Sequence, residues 1–279
     1  MEPIPIGGSP LTRLRARVRR LGAPLCLGID PHPDQLPAGL PATANGIETF
    51  ARGLVEAAGE LVAAIKINVA FFEAFGSWGI AALERLRADL PGDTFLILDA
   101  KRGDIGSTAE RYADALFGRL EADAVTVSPY LGEDGIEPYL AFPERVVYVV
   151  CRTTNASAGR LQDLLVDGVP LHEQVARWVA ETWPGDRAGL VVGATYPDEL
   201  RRLRQLVPGP GFLVPGVGAQ GGDLEAAVAA CDGTDAPGLV NASRAIATAS
   251  RDDDWREAAA AAAGRLRDQM REVGATLGR

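Results

Sequence analysis

The segment TFLILDAKRGDIGSTAERYA, residues 94–113, decides how the rest of the chain is interpreted. In it a run of apolar residues leads directly into Asp99, Lys101, Arg102 and Asp104, and a polar segment of helical character follows. Continuous apolar runs are typical of strands that are buried on both faces of a parallel sheet. The segment therefore predicts a strand–helix unit whose strand ends in alternating opposite charges.

The same strand–helix pattern recurs along the chain. The apolar runs lie at residues 25–30, 64–68, 94–101, 124–129, 145–151, 189–193, 212–217 and 238–243. Segments with apolar residues three and four apart, which indicate helices, lie at residues 47–62, 107–122, 171–183, 197–207, 222–233 and 253–273. Eight strands in a chain of 279 residues predict an α/β fold, a (β/α)8 TIM barrel, with a doubly wound sheet as the second choice.

Nothing in the sequence divides the chain into separate domains. It contains no internal repeat and no low-complexity linker. We therefore expect a single barrel domain over residues 1–279, with residues 1–12 forming a loose N-terminal tail.

Composition excludes several classes of protein. The net charge of -9 leaves no basic excess for general binding to nucleic acid phosphates. There is no signal peptide pattern and no long uncharged apolar stretch, so no membrane association is expected. Three dispersed cysteines and two histidines indicate neither a disulfide framework nor a metal site. These features predict a cytoplasmic protein without a bound metal.

Charged residues at the strand ends form the first candidate site. Asp99 and Lys101 are two apart on a strand, so their side chains point to the same side. Asp104 follows in the loop, and Lys66 lies in the apolar context of the neighbouring strand. Because active sites of TIM barrels lie where strands end, these residues predict a Lys–Asp–Lys–Asp array with a function. The alternative is a structural salt-bridge network at the mouth of the barrel.

A glycine-rich segment forms the second candidate site. VPGVGAQGG, residues 214–222, ends the seventh predicted strand. Glycines let backbone N–H groups approach an anion closely, and the loops after strands seven and eight of TIM barrels often bind phosphate. Arg244, after the eighth strand, could add a bidentate fork. The alternative is an ordinary glycine-rich turn.

These segments together resemble one enzyme family. LDAKRGDIGSTA resembles the DxKxxD signature of the orotidine 5'-phosphate decarboxylases, and further segments resemble that family in the same order: LGIDPHPDQLP, IKINVAFFEAFG, SPYLGED, VPGVGAQGGD and NASRAI. The resemblance spans about residues 25–250 and is greatest to the longer, type 2 variety. It implies a TIM barrel that removes CO2 from orotidine 5'-monophosphate to give UMP in pyrimidine biosynthesis, without a cofactor.

The resemblance also implies roles for the charged residues. Lys66, Asp99, Lys101 and Asp104 match the family's catalytic tetrad, in which Lys101 would donate the proton. Asp30 matches the aspartate that, with Lys66, holds the ribose hydroxyls.

Further residues would bind the rest of the substrate. Ser128 matches the residue that meets the pyrimidine. Gln220 and Arg244 match the phosphate clamp, together with backbone N–H groups around Gly218 and Ser243. A lid over the phosphate would lie within residues 215–238 or 152–165.

Three residues imply a partner chain. Asp104, Ile105 and Thr108 match residues that reach into the partner subunit's site, so the resemblance implies a homodimer with shared active sites. Two other functions stay open at the level of sequence. One is a magnesium-dependent sugar-phosphate aldolase or synthase on the same barrel, and the other is a phosphate-ligand-binding protein without catalysis.

Overall fold

Strands at all the predicted positions close into one barrel. A computed structural model describes residues 8–218 and 221–278 of the chain. Within these residues, eight parallel strands form a closed barrel in the order β1-β10-β9-β8-β5-β4-β3-β2. Their bounds are β1 Leu25–Ile29, β2 Ala64–Asn68, β3 Leu96–Arg102, β4 Ala124–Val127, β5 Val146–Arg152, β8 Ala188–Val192, β9 Phe212–Pro215 and β10 Leu239–Ala242. The predicted TIM barrel is confirmed, and the doubly wound sheet is excluded.

One helix precedes the first strand, and the others follow the strands, with the longer ones covering the outside of the barrel. They are α1 Pro10–Leu21, α2 Ala44–Ala58, α3 Ala70–Glu73, α4 Gly76–Asp89, α5 Gly106–Ala113, α6 Glu137–Leu140, α7 Gly159–Gln162, α8 Leu171–Thr182, α9 Pro197–Leu206, α10 Leu224–Ala230, α11 Arg244–Ala247 and α12 Trp255–Thr276. Each of the six predicted helical segments overlaps one of these helices, namely α2, α5, α8, α9, α10 and α12. Of the helices described here, none is long and apolar enough to cross a membrane.

The barrel has two apolar cores because successive residues of a strand face opposite sides. On β1, Cys26 packs inside the barrel with Ile97 and Tyr148, whereas Leu25 and Leu27 pack outward against the helices. Both layers are fully buried, which explains why the strands read as continuous apolar runs.

The first helix corrects the prediction of a loose tail over residues 1–12. α1 begins at Pro10, and its apolar residues Leu11 and Leu14 pack into the core inside the barrel. The Arg13 guanidinium also forms an ion pair with the buried Asp123, at 2.7 Å. Apolar residues three and four apart within an arginine-rich segment specify this helix. Residues 1–7 of the expected tail lie outside the described residues.

An excursion after β5 was not expected. It contains α7 and an antiparallel hairpin of β6 Leu165–Val166 and β7 Val169–Pro170. Asp167 and Gly168 both have positive φ angles, of 52° and 79°, as a tight two-residue hairpin turn requires. The excursion lies at the carboxyl end of the barrel, where the candidate site is.

Candidate active site

A cavity of about 250 Å³ opens at the carboxyl ends of the barrel strands. Its lining includes six of the residues that the sequence singled out, namely Asp30, Lys66, Asp99, Lys101, Ser243 and Arg244. These residues lie on or directly after strands that are distant in the sequence, and closure of the barrel brings them together. The position agrees with the general location of active sites in TIM barrels.

The end of β3 turns Lys101 toward the cavity. The register between β3 and β4 shifts between Leu98 and Arg102, and Lys101 has a φ angle of +44°. Its backbone N–H donates to the Thr126 hydroxyl at 3.0 Å. This irregularity ends the regular strand and brings the lysine Nζ to 2.5 Å from Asp99 Oδ1.

Asp99 is the centre of a chain of opposite charges. Lys66 Nζ donates to its Oδ2 at 3.0 Å, and the Thr126 hydroxyl donates to its Oδ1 at 2.8 Å. Lys66 Nζ also lies 3.5 Å from Asp30 Oδ1. The first three members of the predicted tetrad are therefore in direct contact within one chain.

The surroundings keep these groups charged. Burial favours the neutral form of Asp99, but Lys66 and Lys101 outweigh it and hold the pKa of Asp99 well below its usual range. Burial also disfavours the charged form of Lys66, yet Asp30 and Asp99 hold the pKa of Lys66 above its usual range. A structural ion pair needs only one ammonium group for each carboxylate, whereas Asp99 contacts two, those of Lys66 and Lys101. Since 51% of the Lys101 side chain is still exposed, this lysine can reach a ligand in the cavity.

Gly216, Ser243 and Arg244 line the opposite wall of the cavity, and Gly218 lies close to Gly216 in the chain. Gly216 and Gly218, after β9, have φ angles of 103° and 80°, which side chains rarely adopt. Ser243 is the N-cap of α11, and Arg244 is its first residue. The Arg244 side chain is exposed and has no ion pair within residues 8–218 and 221–278. Gln220, the other predicted phosphate residue, lies outside the described residues.

Comparison with known proteins identifies the family. The sequence profile of the "Orotidine 5'-phosphate decarboxylase / HUMPS family" matches residues 23–262, which is most of the chain. This chain belongs to that family.

Curated relatives and solved structures agree with this membership. An orotidine 5'-phosphate decarboxylase of Roseiflexus castenholzii is 51% identical over 88% of this chain and 91% of its own length, and one of Roseiflexus sp. is 48% identical over 91% and 94%. The crystal structure of a putative orotidine-monophosphate-decarboxylase from Toxoplasma gondii is 38% identical, with a TM-score of 0.87 over 95% of this chain and 97% of that one. These names favour the decarboxylases over the aldolases and synthases of the same barrel.

Five of the described residues predicted from the family lie away from the cavity lining: Asp104, Ile105, Thr108, Ser128 and Gly218. Asp104 accepts a hydrogen bond from the N–H of Ile105 at 2.9 Å, and Ile105 is 51% exposed. The Ser128 hydroxyl accepts from the N–H of Tyr130 at 3.4 Å. Within one chain, Asp104 therefore does not join Lys66, Asp99 and Lys101 in the cavity.

Several polar residues of the cavity were missed in the sequence. They are Thr126, Thr153, Thr154 and Asn241, all of which line it. Thr126 and Asn241 interrupt the apolar runs AVTV and LVNA, and this interruption was the available signal. The lysine content was another signal, because Lys66 and Lys101 are the only lysines in the whole chain.

The described part of the chain gathers no group of three or more His, Cys, Asp or Glu side chains that could hold a metal ion. Cys26, Cys151 and Cys231 are buried. His32, after β1, packs edge-on against Phe71 with 4.4 Å between ring centroids.

Proposed function

We propose that this protein decarboxylates orotidine 5'-monophosphate to UMP, a step of pyrimidine biosynthesis, without a metal or cofactor. The observation that carries the proposal is the Lys66–Asp99–Lys101 array at the mouth of the cavity. Family membership and the names of relatives near 50% identity support the same reaction.

The array suits the chemistry of this reaction. The ionised Asp99 repels the substrate carboxylate, and the repulsion is relieved when the bond between C6 and the carboxylate breaks and CO2 leaves. The electron pair stays on C6, where the Lys101 ammonium stabilises the developing negative charge and then gives up a proton. Both effects favour the transition state over the bound substrate, which raises the rate. A lysine can transfer this proton, whereas arginine is effectively always protonated.

The remaining parts of the substrate have partners in the same cavity. We assign the ribose hydroxyls to Asp30 with Lys66, and the phosphate to Arg244 with the backbone around Gly218 and Ser243. Gln220 completes the proposed clamp. A phosphate far from the reacting carbon supplies binding energy that can be used for catalysis.

The pyrimidine has two candidate partners. Thr153 and Thr154 line the cavity, and Thr153 is held by Gln162, whose Nε2 donates to its hydroxyl at 2.8 Å. We propose these threonines for base recognition. Ser128 would need a movement of the loop after β4 to take part.

We further propose a homodimer in which Asp104, Ile105 and Thr108 complete the partner's active site. All three are at the surface of the chain, and no ion pair engages the Asp104 carboxylate among the described residues. The protein would act as a single domain in the cytoplasm, whose reducing conditions keep thiols such as those of Cys26 and Cys151 reduced.

Ultraviolet absorbance of orotidine 5'-monophosphate tests the function directly. We expect complete conversion to UMP by the purified protein with EDTA present. Loss of the reaction on chelation and its recovery with magnesium would favour a metal-dependent synthase instead. Binding of the nucleotide without turnover would indicate a ligand-binding protein.

A further inference from the structure

A buried amide in the wall of the cavity has no role in the proposed mechanism. Asn241 lies on β10 and is only 6% exposed. Its Nδ2 donates to the Ser243 hydroxyl at 3.3 Å, whereas its Oδ1 is buried and has no hydrogen-bond partner within residues 8–218 and 221–278. A buried acceptor without a donor is unfavourable, so native proteins rarely retain one. Because Asn241 lines the cavity, a bound ligand can supply the missing donor.

The neighbouring strand leaves room for this amide. Gly28 of β1 stands opposite, and a Cβ atom at that position would lie 1.9 Å from Ser243 Oγ and 2.8 Å from Asn241 Oδ1. Any side chain there would displace both polar groups. Gly28 is also level with Lys66 in the pairing of β1 with β2. Because Gly28 has no side chain, β1 leaves a space beside the charged array, and the Asn241–Ser243 pair occupies this space.

A second acceptor without a donor lies at the end of β1. Asp30 Oδ1 is buried and accepts no hydrogen bond from any described residue, although Lys66 Nζ is 3.5 Å away. β1 pairs directly with β10, so both acceptors belong to the same side of the barrel. Two acceptors without donors, on paired strands that line one cavity, fit a ligand that carries two donors. The cis-diol of a ribose has this chemistry.

We propose that Asn241 is a substrate-binding residue whose Oδ1 accepts a hydrogen bond from the ribose 3'-hydroxyl, while Asp30 accepts from the diol beside it. This inference rests on the proposed function. Asn241 is followed, just after the end of β10, by Ser243 and Arg244, which hold the phosphate in that proposal. Since C3' is bonded to C4', which carries the 5'-phosphate arm, the 3'-hydroxyl lies nearer the phosphate than the 2'-hydroxyl does. The reacting carbon faces Asp99 and Lys101, across the barrel.

Removal of the Asn241 amide and removal of the substrate's 3'-hydroxyl should lower kcat/KM non-additively, because each removes the same hydrogen bond. We expect the wild-type protein to lose about tenfold in kcat/KM on 3'-deoxy-orotidine 5'-monophosphate, the usual value of one hydrogen bond in a buried site. Asn241→Leu should lose about tenfold on orotidine 5'-monophosphate but less than about twofold on the 3'-deoxy substrate, because the lost interaction is the same one. If Asn241→Leu does not fold, Asn241→Ala is used for the same comparison.

Two controls separate this role from a structural one. The 2'-deoxy substrate should be penalised to the same extent in the wild type and in Asn241→Leu. Tyr139→Phe also removes a buried polar atom without a partner, but Tyr139 lies outside the cavity lining. Its kcat/KM should match the wild type on both substrates. Equal losses on the ribose and 3'-deoxy substrates in Asn241→Leu would overturn the proposal.

A binding measurement makes the test independent of turnover. UMP and 3'-deoxy-UMP are titrated by calorimetry into the wild type and into Asn241→Leu. If the wild type leaves orotidine 5'-monophosphate intact, the proposed function is wrong. The difference in affinity between UMP and 3'-deoxy-UMP still tests whether Asn241 binds the 3'-hydroxyl. A preference for UMP that is present in the wild type and absent in the variant supports the assignment. An unchanged preference, or no binding of either nucleotide by the wild type, contradicts it.

Discussion

At the scale of single residues, Lys101 depends on an unusual backbone conformation. Its φ angle of +44° lies in the left-handed region, which costs a residue with a side chain about 1 kcal/mol. Thr126 and Asp99 hold it there, through the backbone N–H and the side-chain Nζ. Such strain persists where the surrounding structure determines it, and it concentrates at functional sites.

Replacing the proposed proton donor tests the mechanism. We expect Lys101→Ala to lower the turnover of orotidine 5'-monophosphate by about a thousandfold or more, because proton transfer and charge stabilisation are both lost. The melting temperature should change little, since the side chain is half exposed. Single-turnover kinetics and thermal unfolding measure the two quantities. A loss within about tenfold would refute the assignment.

Replacing the proposed phosphate ligand tests binding at the other end of the cavity. Arg244→Ala should lower kcat/KM for orotidine 5'-monophosphate by about a hundredfold, because a charged bidentate contact is lost. The slow reaction of orotidine, which lacks the phosphate, is the matched control and should stay within about twofold. Equal losses on both substrates would remove Arg244 from the phosphate site.

At the scale of elements, buried charges fix how the segments around the barrel are held. Arg152, at the end of β5, is 2% exposed and donates to Glu199 of α9 at 2.6 Å. It also donates to Gln162 of α7 at 3.2 Å, and Gln162 in turn holds Thr153 at the cavity. The excursion after β5 is thus tied to the barrel by one guanidinium, which positions the threonines that we assign to the base.

An ion pair between α2 and α4 predicts a pH dependence of stability. Arg85 and Arg52 donate to Glu48, with Arg85 Nη2 at 2.5 Å, and the hydrogen bonds of Arg85 hold the pKa of Glu48 below its usual range. The stabilisation is therefore present above the ordinary pKa of a glutamate and is lost as the pH falls through the lower, folded-state value. We expect Glu48→Gln to lower the melting temperature at neutral pH.

The comparison at acid pH is decisive for this prediction. As the pH falls below the ordinary pKa of a glutamate and the carboxyl group of folded Glu48 takes up its proton, the difference in melting temperature between the wild type and Glu48→Gln should shrink. Differential scanning calorimetry over this range measures it. A difference that stays constant with pH would show that packing, and not charge, is what the substitution changes.

At the scale of the whole molecule, one rim of the barrel carries exposed apolar side chains. Trp78 is 76% exposed, Tyr130 80% and Ile105 51%, and they follow β2, β4 and β3 at the carboxyl end. Exposed apolar groups that cluster on one surface often mark protein interfaces. Asp104 lies in the same region, so the rim suits the proposed homodimer.

Complementation between inactive chains tests whether sites are shared. Lys101→Ala and Asp104→Ala chains should each be inactive alone, but a two-fold dimer shares its residues reciprocally. In a mixed dimer one site then carries both lesions and the other carries none. Random re-association makes about half of the dimers mixed, so roughly a quarter of all sites should recover.

The assay compares the re-associated mixture with each variant alone. Mass spectrometry of intact dimers, with one chain isotopically labelled, reports whether mixed dimers have formed. Activity at the sum of the parents in the presence of mixed dimers would mean that Asp104 serves its own chain.

The sequence by itself determined the barrel and the end of it that carries the site. The eight strands and six of the helices follow from local periodicity, because a strand buried on both faces must be apolar throughout and a helix on its surface must be apolar on one side. Polar residues at the strand ends, such as Asp30, Lys66 and Asp99, were recognisable for the same reason. The family resemblance added the reaction.

Only the tertiary structure decided which of these side chains meet. The register shift that turns Lys101 toward Asp99 and the pairing that sets Asn241 beside Gly28 depend on how the strands align around the closed barrel. α1 closes the other end of the barrel through Leu11 and Leu14, contacts that no local pattern specifies. Asp104 lies near Lys101 in sequence yet outside the cavity. Periodicity records which face a residue occupies, but the neighbours across that face come from other strands, and their alignment is set by the packing of the whole barrel.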